Sequence, residues 1–271
     1  MLRDDTPAEE RIGSRDLADW RTPAGRRLAR WVVERTVGVT VGLARWSAAH
    51  VVLVVTALVG GAVAVALTAV AAEVYDAVTE SEGIAGLDQP VLDQAMARRS
   101  PGLDHAVTLY TDLGGPVGMS VLATVVTLLM VWRWRSRTPL VLVLIAVAGS
   151  LAMTTTGKAF IGRARPPLSD AVPPYETSPS FPSGHTLNAT VITTVLVYLV
   201  LRRLDSALAR TVAVVVGVVF VVTMGLSRVF LGHHWLTDVV AGWALGLGWA
   251  AAVVTAHRLF LTVRRHTEPS L

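Results

Sequence analysis

The sequence predicts an all-α integral membrane protein, a six-helix bundle with short amphipathic helices on its external face. Hydrophobic residues make up 52% of the 271 residues and charged residues only 16%, and the mean hydropathy is +0.54. A soluble domain carries about 25% charged residues, so this composition favours a membrane protein. Apolar stretches of about 20 residues can cross a bilayer as helices. Six such stretches lie at residues 49–72, 116–132, 139–156, 186–201, 211–226 and 235–256.

Three regions follow from these spans: a cytoplasmic arginine-rich tail at 1–47, a membrane domain at 48–260, and a cytoplasmic tail at 261–271. No apolar segment precedes Trp31, so a cleavable signal peptide is not predicted. The polar composition of residues 1–30 predicts a mobile tail. Residues 28–47 fit either an interfacial amphipathic helix or a basic flank of the first span.

The distribution of arginines predicts the orientation of the chain in the plasma membrane. Arginines outside the motifs follow the second, fourth and sixth spans, whereas the loop at 73–115 has eight acidic residues and only Arg98 and Arg99 as bases. Under the positive-inside rule both termini are cytoplasmic, and the motifs described below face outward. Despite a pI near 10.1, arginines confined to loops do not predict nucleic acid as a partner. The chain has no cysteine, which excludes disulfides and thiolate metal sites.

Two polar segments are expected to cover the external end of the bundle. Apolar spacing within 73–112 predicts two short amphipathic helices separated near Ser100-Pro101. The loop at 162–181 contains five prolines and is predicted to be extended and stiff. Within the last span, Gly242 and Gly246 match a small-xxx-small pattern that favours close helix packing within the monomer.

His234 and Asp238 are the first candidate catalytic residues. A spacing of four places both side chains on one helical face at the start of the sixth span. A carboxylate that accepts one imidazole N–H fixes the tautomer and leaves the other ring nitrogen free as a nucleophile. The same spacing is also compatible with a purely structural hydrogen bond.

Pro182-Ser183-Gly184-His185 stands at the start of the fourth span, where a helix N-terminus presents unpaired amides. Ser183 suits the N-cap, and Gly184 permits close approach of the backbone to an anion. Helix N-termini favour phosphate. His185 is then placed to give a proton to a leaving oxygen.

Lys158, Arg165 and Arg228 supply three cations for phosphate oxygens. Lys158 is the only lysine among the 24 Lys and Arg residues, and its compact ammonium differs from the planar fork of Arg. Positioning and fixed cations together provide most of what the catalysis of phosphoryl transfer requires. The motif loops contain no carboxylates with metal-ligand spacing, so neither a metal nor another cofactor is predicted. Arg163 is expected at the rim of the site.

The pattern Lys158-x6-Arg165-Pro166, Pro182-Ser183-Gly184-His185 and Ser227-Arg228-x5-His234-x3-Asp238 resembles the signature of the type 2 phosphatidic acid phosphatase family, which is related to vanadium haloperoxidases. The resemblance implies a metal-independent phosphatase domain in which His234 forms a phosphohistidine, Asp238 holds its imidazole and His185 protonates the leaving group. Phosphate oxygens would be bound by Lys158, Arg165, Ser183, Gly184 and Arg228. His233 lies outside the motif.

The expected activity is hydrolysis of a lipid mono- or diphosphate, such as phosphatidic acid, phosphatidylglycerol phosphate or a polyprenyl diphosphate. A site beside apolar spans favours substrates with acyl or prenyl tails, with membrane lipid as the surroundings. The alternatives are a phosphotransferase using the same phosphohistidine, a non-catalytic lipid-phosphate binding or transport protein, and a haloperoxidase. Six spans disfavour the haloperoxidase, whose relatives are soluble, and the lack of mid-span charges disfavours transport. Oligomeric state and the preferred lipid stay open.

Overall fold

In the computed structural model, residues 11–12, 15–16 and 48–267 are described. Over this part of the chain the α-helices are α1 (Ala48–Glu80), α2 (Asp88–Met96), α3 (Pro101–Asp112), α4 (Pro116–Trp134), α5 (Thr138–Ile161), α6 (Gly184–Leu201), α7 (Ala207–Phe230) and α8 (Leu236–Thr267). Short 3-10 helices form at Gly83–Leu87 and Leu168–Asp170. The strands found there are β1 (Arg11–Ile12) and β2 (Arg15–Asp16), which pair antiparallel. The expectations of a mobile tail at 1–30 and of an interfacial helix at 28–47 lie almost wholly outside the described residues.

The prediction of an all-α bundle with six membrane spans is confirmed. Six helices of the described chain are long and apolar enough to cross a membrane: Val51–Glu80, Pro116–Trp134, Thr138–Ile161, Gly184–Leu201, Ala207–Phe230 and Leu236–Arg264. Large apolar side chains cover their outer faces, including Val65 at 70% exposed and Leu208 at 74%. Such faces suit a surrounding of acyl chains, so the protein is a multi-pass membrane protein.

The helices extend beyond the apolar stretches from which they were predicted. The first continues eight residues past residue 72, and the last continues from residue 256 to Thr267. Backbone hydrogen bonds do not require apolar side chains, so a helix continues until a capping residue ends it. Gly162, with a φ of +61°, ends α5. As a result, Lys158 and Arg228 lie in the last turns of α5 and α7, and His185 in the first turn of α6.

Helix α6 is the central element of the bundle and packs between α5, α7 and α8. Half of its span is buried within the protein, compared with 17% of the span in α1. Its contact with α8 is so close that a side chain at either of two α8 glycines would crowd α6. A Cβ at Gly246 would lie 2.7 Å from Cβ of Thr190, and one at Gly242 would lie 3.0 Å from Cβ of Thr186. The two glycines thus serve packing inside the monomer, as the sequence predicted.

Helices α2 and α3 are the two short helices predicted from residues 73–112, and they lie at the same end of the bundle as the motifs. The chain breaks between them at Ser100, whose hydroxyl accepts a hydrogen bond from the Leu103 amide at 3.4 Å. Just before it, Arg99 donates to the carbonyls of Phe230, at 2.7 Å, and Asp170, at 2.6 Å. This arginine therefore ties the short helices to the end of α7 and to the proline-rich loop.

Candidate active site

The motif residues meet at one end of the bundle, where the last turns of α5 and α7 face the first turns of α6 and α8. A cavity of about 570 Å³ lies there, and its wall includes Glu176, His185, Arg228 and His233. The site is thus assembled from four spans and from the loop at 162–183, and each of the three motifs is divided between a helix and an adjoining connection.

His234 lies in the turn before α8, and Asp238 lies in the first turn of that helix. Nδ1 of His234 is 3.3 Å from Oδ2 of Asp238, and the two side chains are 1% and 0% exposed. The same carboxylate oxygen accepts hydrogen bonds from the Trp235 amide, at 3.0 Å, and from the Ser180 hydroxyl. A carboxylate at Nδ1 favours the ring proton on that nitrogen and leaves Nε2 with a free lone pair.

The protonation state of His234 is set mainly by its burial. Burial lowers the pKa of His234 to about 4, although the hydrogen bond from Nδ1 to Asp238 opposes that shift. The imidazole is therefore neutral near pH 7, which is the form in which it can act as a nucleophile or base.

Arg165 stands directly at the free nitrogen of His234. Its Nη1 atom is 3.1 Å from Nε2 of His234 and also donates to the His233 carbonyl. Its Nε donates to the Ser178 carbonyl at 2.7 Å, and its Nη2 is 2.7 Å from a carboxylate oxygen of Glu176. A charged group bound at Nε2 would therefore lie within reach of this guanidinium.

Arg228 is almost entirely buried, with its side chain 2% exposed. Its Nη2 pairs with Glu176, and its Nη1 donates to the hydroxyl of Thr111 at 3.2 Å. Thr111, on α3, also accepts from Ser227 at 2.9 Å. Helix α3 thus helps to hold the Ser227-Arg228 motif, a contribution that the sequence did not indicate.

Glu176 is the functional residue most clearly missed by the sequence analysis. Its carboxylate bridges Arg165 and Arg228, which the motifs assign to phosphate. Burial alone would raise the pKa of Glu176, but the two arginines outweigh that effect and lower it to about 2. A phosphate-binding motif predicts cations and amides around the anion, not a negatively charged carboxylate between two of the cations. No sequence signal would therefore have selected Glu176.

Lys158 contacts the same loop as Arg165. Its ammonium donates to the Ser178 hydroxyl, at 2.9 Å, and to the Pro179 carbonyl. Arg165 Nη2 also donates to the Ser178 hydroxyl, at 3.2 Å. The two cations therefore share one partner at the edge of the site.

Ser183 stands at the N-cap position of α6, but its side chain does not make the expected cap. Its hydroxyl accepts from Oγ1 of Thr186 at 2.9 Å, because the buried threonine hydroxyl takes that oxygen instead of a backbone amide. The backbone of Ser183 is fixed by its amide, which donates to the Asp238 carbonyl at 3.1 Å. His185 follows Gly184 in the first turn, and its Nε2 lies beside Gly115 in the cavity wall.

The similarity of this chain to known proteins extends over most of its length. A model of the PAP2 superfamily matches residues 139–261. Phosphatidylglycerophosphatase B of Bacillus subtilis is 31% identical over 173 residues, which cover 63% of this chain and 83% of that protein. The chain belongs to the PAP2 superfamily. The resemblance inferred from the three motifs is thereby confirmed.

Two further comparisons agree with this assignment. An undecaprenyl-diphosphatase of Sulfolobus acidocaldarius is 37% identical over 73 residues, which are 27% of this chain and 31% of that protein. The crystal structure of a transmembrane PAP2-type phosphatidylglycerolphosphate phosphatase from Bacillus subtilis matches with a TM-score of 0.66 and 25% identity. That match covers 77% of this chain and 98% of the other, so it extends beyond the motifs to the bundle.

The position of Arg163 in this PAP2 protein differs from the expected one at the rim. Its side chain is 16% exposed and lies behind Asp238, to which Nη1 donates at 2.6 Å. The adjacent His233, to which the sequence assigned no role, is 2.6 Å through Nε2 from the Val172 carbonyl. Burial lowers the pKa of His233, and the residue holds the proline-rich loop against the turn before α8.

Proposed function

We propose that this protein is a membrane lipid phosphatase that hydrolyses the terminal phosphate of a lipid mono- or diphosphate through a phosphohistidine on His234. The proposal rests above all on one observation: the His234 ring presents Nε2 toward Arg165 while its Nδ1 faces the Asp238 carboxylate. A nucleophile, its orienting carboxylate and a cation for the transferred group are thus in contact.

In the first step, the Nε2 lone pair attacks phosphorus and the bond to the leaving oxygen breaks. His185 gives its proton to that oxygen, and Asp238 stabilises the positive charge that develops on the His234 ring. In the second step, a water attacks phosphorus, its proton returns to His185, and the P–N bond breaks. Inorganic phosphate and the lipid without its terminal phosphate are the products, and both histidines return to their starting states.

Lys158, Arg165 and Arg228 are proposed to bind the phosphate oxygens together with the Ser183 hydroxyl and the Gly184 amide at the N-terminus of α6. Negative charge spreads over these oxygens in the transition state, so fixed cations and a helix N-terminus stabilise it. We infer that the reaction requires no metal ion, since these groups supply the charge that a metal would otherwise provide.

A lipid substrate is supported by the surroundings of the site. An apolar groove of about 300 Å³ runs between α4, α5 and α6 and shares Pro116 with the site cavity. Such a groove would accommodate part of an acyl or prenyl chain. The related proteins named above suggest phosphatidylglycerol phosphate and undecaprenyl diphosphate as the first substrates to test, with phosphatidic acid as the third.

The proposed arrangement places residues 1–47 and 261–271 in the cytoplasm as tails and residues 48–260 in the plasma membrane as the phosphatase domain. The arginine-rich loops after the second, fourth and sixth spans support this orientation. The site would then face outward, and the enzyme would act on lipids of the outer leaflet.

The decisive experiment measures phosphate release by the purified protein in detergent over a panel of lipid mono- and diphosphates, with excess chelator. Rapid acid-free quenching with labelled substrate should trap a phosphohistidine in the wild type but not in His234→Ala. His105→Ala, which alters an exposed histidine on α3, is the control and should still form the phosphohistidine. Label at another residue, or activity that is lost with chelator and restored by magnesium, would contradict the mechanism. Addition of acceptor alcohols in the same assay separates a hydrolase from a phosphotransferase.

A further inference from the structure

Asp238 is connected to a second buried carboxylate through Arg163. Arg163 donates from Nη1 to Oδ1 of Asp238, at 2.6 Å, and from Nη2 to Oδ2 of Asp88, at 2.7 Å. Asp88 is the first residue of α2, more than 70 positions before Arg163 along the chain. The hydrogen-bonded series Asp88, Arg163, Asp238, His234 therefore links a short external helix to the candidate nucleophile.

The two oxygens of Asp238 have separate partners. Oδ2 faces Nδ1 of His234, the Trp235 amide and the Ser180 hydroxyl, whereas Arg163 binds Oδ1. Because the carboxylate is fully buried, an unpaired Oδ1 would carry a large desolvation cost. Arg163 removes that cost and prevents the carboxylate from turning, so Oδ2 stays directed at the ring.

Asp88 in turn fixes the backbone that carries Asp238. Its Oδ1 accepts the Thr237 amide at 2.9 Å, and its Oδ2 accepts the Thr237 hydroxyl at 2.7 Å. The Asp88 carboxylate thus caps the first turn of α8 from a different helix. It is 5% exposed, and Arg163 is the cation that balances it.

The geometry requires a planar fork at position 163. Nη1 donates hydrogen bonds to Asp238 and to the Thr237 hydroxyl, and Nη2 donates to Asp88. The two terminal nitrogens of one guanidinium thus bind two carboxylates. A lysine keeps the charge but offers a single nitrogen. The guanidinium also lies over the Trp235 ring, with its carbon 5.6 Å from the ring centroid, which limits its movement.

We propose that Asp88 and Arg163 are positioning residues that act through Asp238 to hold His234 in its reactive orientation and tautomer. The role of this pair in turnover rests on the proposed function. Neither residue lines the cavity that contains His185 and Arg228, so their replacement should lower kcat and leave KM nearly unchanged.

Asp88→Asn and Arg163→Lys test the proposal, with Asp93→Asn and Arg98→Lys as matched controls. Asp93 and Arg98 are exposed, belong to the same external segment and contact no motif residue. We expect kcat to fall by about 10- to 100-fold in each test variant, as for other residues that orient a ligand or base, and to stay at the wild-type value in the controls. The double variant Asp88→Asn/Arg163→Lys should be little worse than Arg163→Lys alone, because both changes act on one carboxylate.

A second readout does not depend on turnover. Nitrogen-15 spectra of histidine-labelled protein should show a protonated Nδ1 at His234 in the wild type and in both controls, with the signal identified by its loss in His234→Gln. In Asp88→Asn and Arg163→Lys this signal should broaden or shift toward the other tautomer. If no lipid is hydrolysed by the wild type, the proposed function fails, and the tautomer measurement still decides the positioning role.

Two outcomes would overturn the proposal. One is an unchanged kcat and an unchanged His234 signal in Arg163→Lys. The other is a parallel disturbance of His257, whose Nδ1 is 2.9 Å from the Tyr198 hydroxyl in the opposite half of the bundle. A change there would mean that the pair only maintains the fold and does not specifically orient His234.

Discussion

At the residue scale, the site is defined by how each carboxylate is compensated. One carboxylate oxygen of Asp238 faces the candidate nucleophile His234, and the other accepts a hydrogen bond from Arg163. Glu176 has one oxygen at Arg165 and the other at Arg228. Asp238 therefore pairs with Arg163, the arginine behind the candidate nucleophile. Glu176 pairs with Arg165 and Arg228, the arginines in front of it.

Replacement of the proposed nucleophile, His234, and of its carboxylate partner, Asp238, should have different consequences. His234→Ala is expected to abolish phosphate release, because the attacking nitrogen is lost. Asp238→Asn should retain a residual rate about 10³- to 10⁴-fold below the wild type, since the nucleophile remains but the tautomer is no longer fixed. Initial rates of detergent-purified variants, normalised to monodisperse protein by gel filtration, provide the measurement. A well-folded His234→Ala protein with normal activity would be incompatible with the mechanism.

Removal of the Glu176 charge should destabilise the protein in a way that phosphate reverses. In Glu176→Gln the buried Arg228 loses its counter-ion, so the apparent Tm should fall. Inorganic phosphate can then neutralise the same cations and should raise the Tm of the variant more than that of the wild type. Thermal unfolding with and without phosphate tests this, with Asp170→Asn in the same loop as a control. An equal response to phosphate in both proteins would show that Glu176 and phosphate do not share a site.

The stability of the protein should decrease as the pH falls from about 6.5 to 4. The pKa of His234 is lowered to about 4 in the folded protein, whereas an unfolded histidine has a pKa of about 6.5. Between these values the unfolded chain binds more protons, so acidification favours unfolding. The apparent Tm of His234→Gln should therefore vary less with pH over this interval than that of the wild type or of His105→Gln. Identical pH dependence in all three would exclude a buried neutral His234.

The residues that sequence reasoning placed well are those whose spacing along a helix determines their contact. His234 and Asp238 are one turn apart, so their contact follows from local geometry. Glu176 and Asp88 reach the site through loops or through a separate helix, and no local pattern indicates where such a side chain points. Arg163 was misplaced for the same reason: its burial depends on a carboxylate contributed by distant α2.

At the element scale, several polar motif residues lie within the terminal turns of spans: Lys158, His185, Arg228 and Asp238. Arg165 and His234 lie in the adjoining connections. A search for apolar stretches underestimates the length of such a helix, because its terminal turn carries polar side chains. These side chains find hydrogen-bond partners within the protein around the site. Helix α6 illustrates this best: it begins at Gly184, two residues before its apolar stretch, and so includes His185. The number of spans was predictable from hydropathy, but their ends were not.

The contact between α6 and α8 should be sensitive to a single methyl group. In Gly246→Ala the new Cβ would approach the side chain of Thr190 to less than 3.0 Å, so the helices must separate and the apparent Tm should fall. Gly61→Ala on α1 is the matched control, because a Cβ there meets no atom within 4 Å and alanine is the better helix former. Equal Tm values for the two variants would argue against tight packing at this contact.

At the scale of the whole molecule, the motifs converge at one end of a bundle whose other end carries arginine-rich connections. Because the spans alternate in direction, the four helix ends that form the site must lie on the same side of the membrane. The choice of side decides which lipid leaflet supplies the proposed substrate.

The proposed orientation can be tested with single cysteines in this cysteine-free chain. Leu168→Cys lies in the loop near the site, where the native side chain is 62% exposed, and Ser206→Cys lies in the exposed connection before α7. A membrane-impermeant thiol reagent applied to intact cells should label position 168 and spare position 206. Labelling of both positions in opened membranes is the control for reactivity. The reverse pattern in intact cells would place the site in the cytoplasm and the substrate in the inner leaflet.

The turn between α7 and α8 constrains how members of this superfamily with the same turn could diversify. The amides of His233 and His234 both donate to the Arg228 carbonyl, at 3.0 and 3.3 Å. Gly232, with a φ of +71°, packs so closely on the Asp170 carbonyl that no side chain fits there. Insertion or deletion of one residue in this turn would separate the candidate nucleophile from its cation. Changes in lipid specificity are therefore expected to arise from substitutions on the opposite wall of the cavity, where Leu113 and Val117 are exposed.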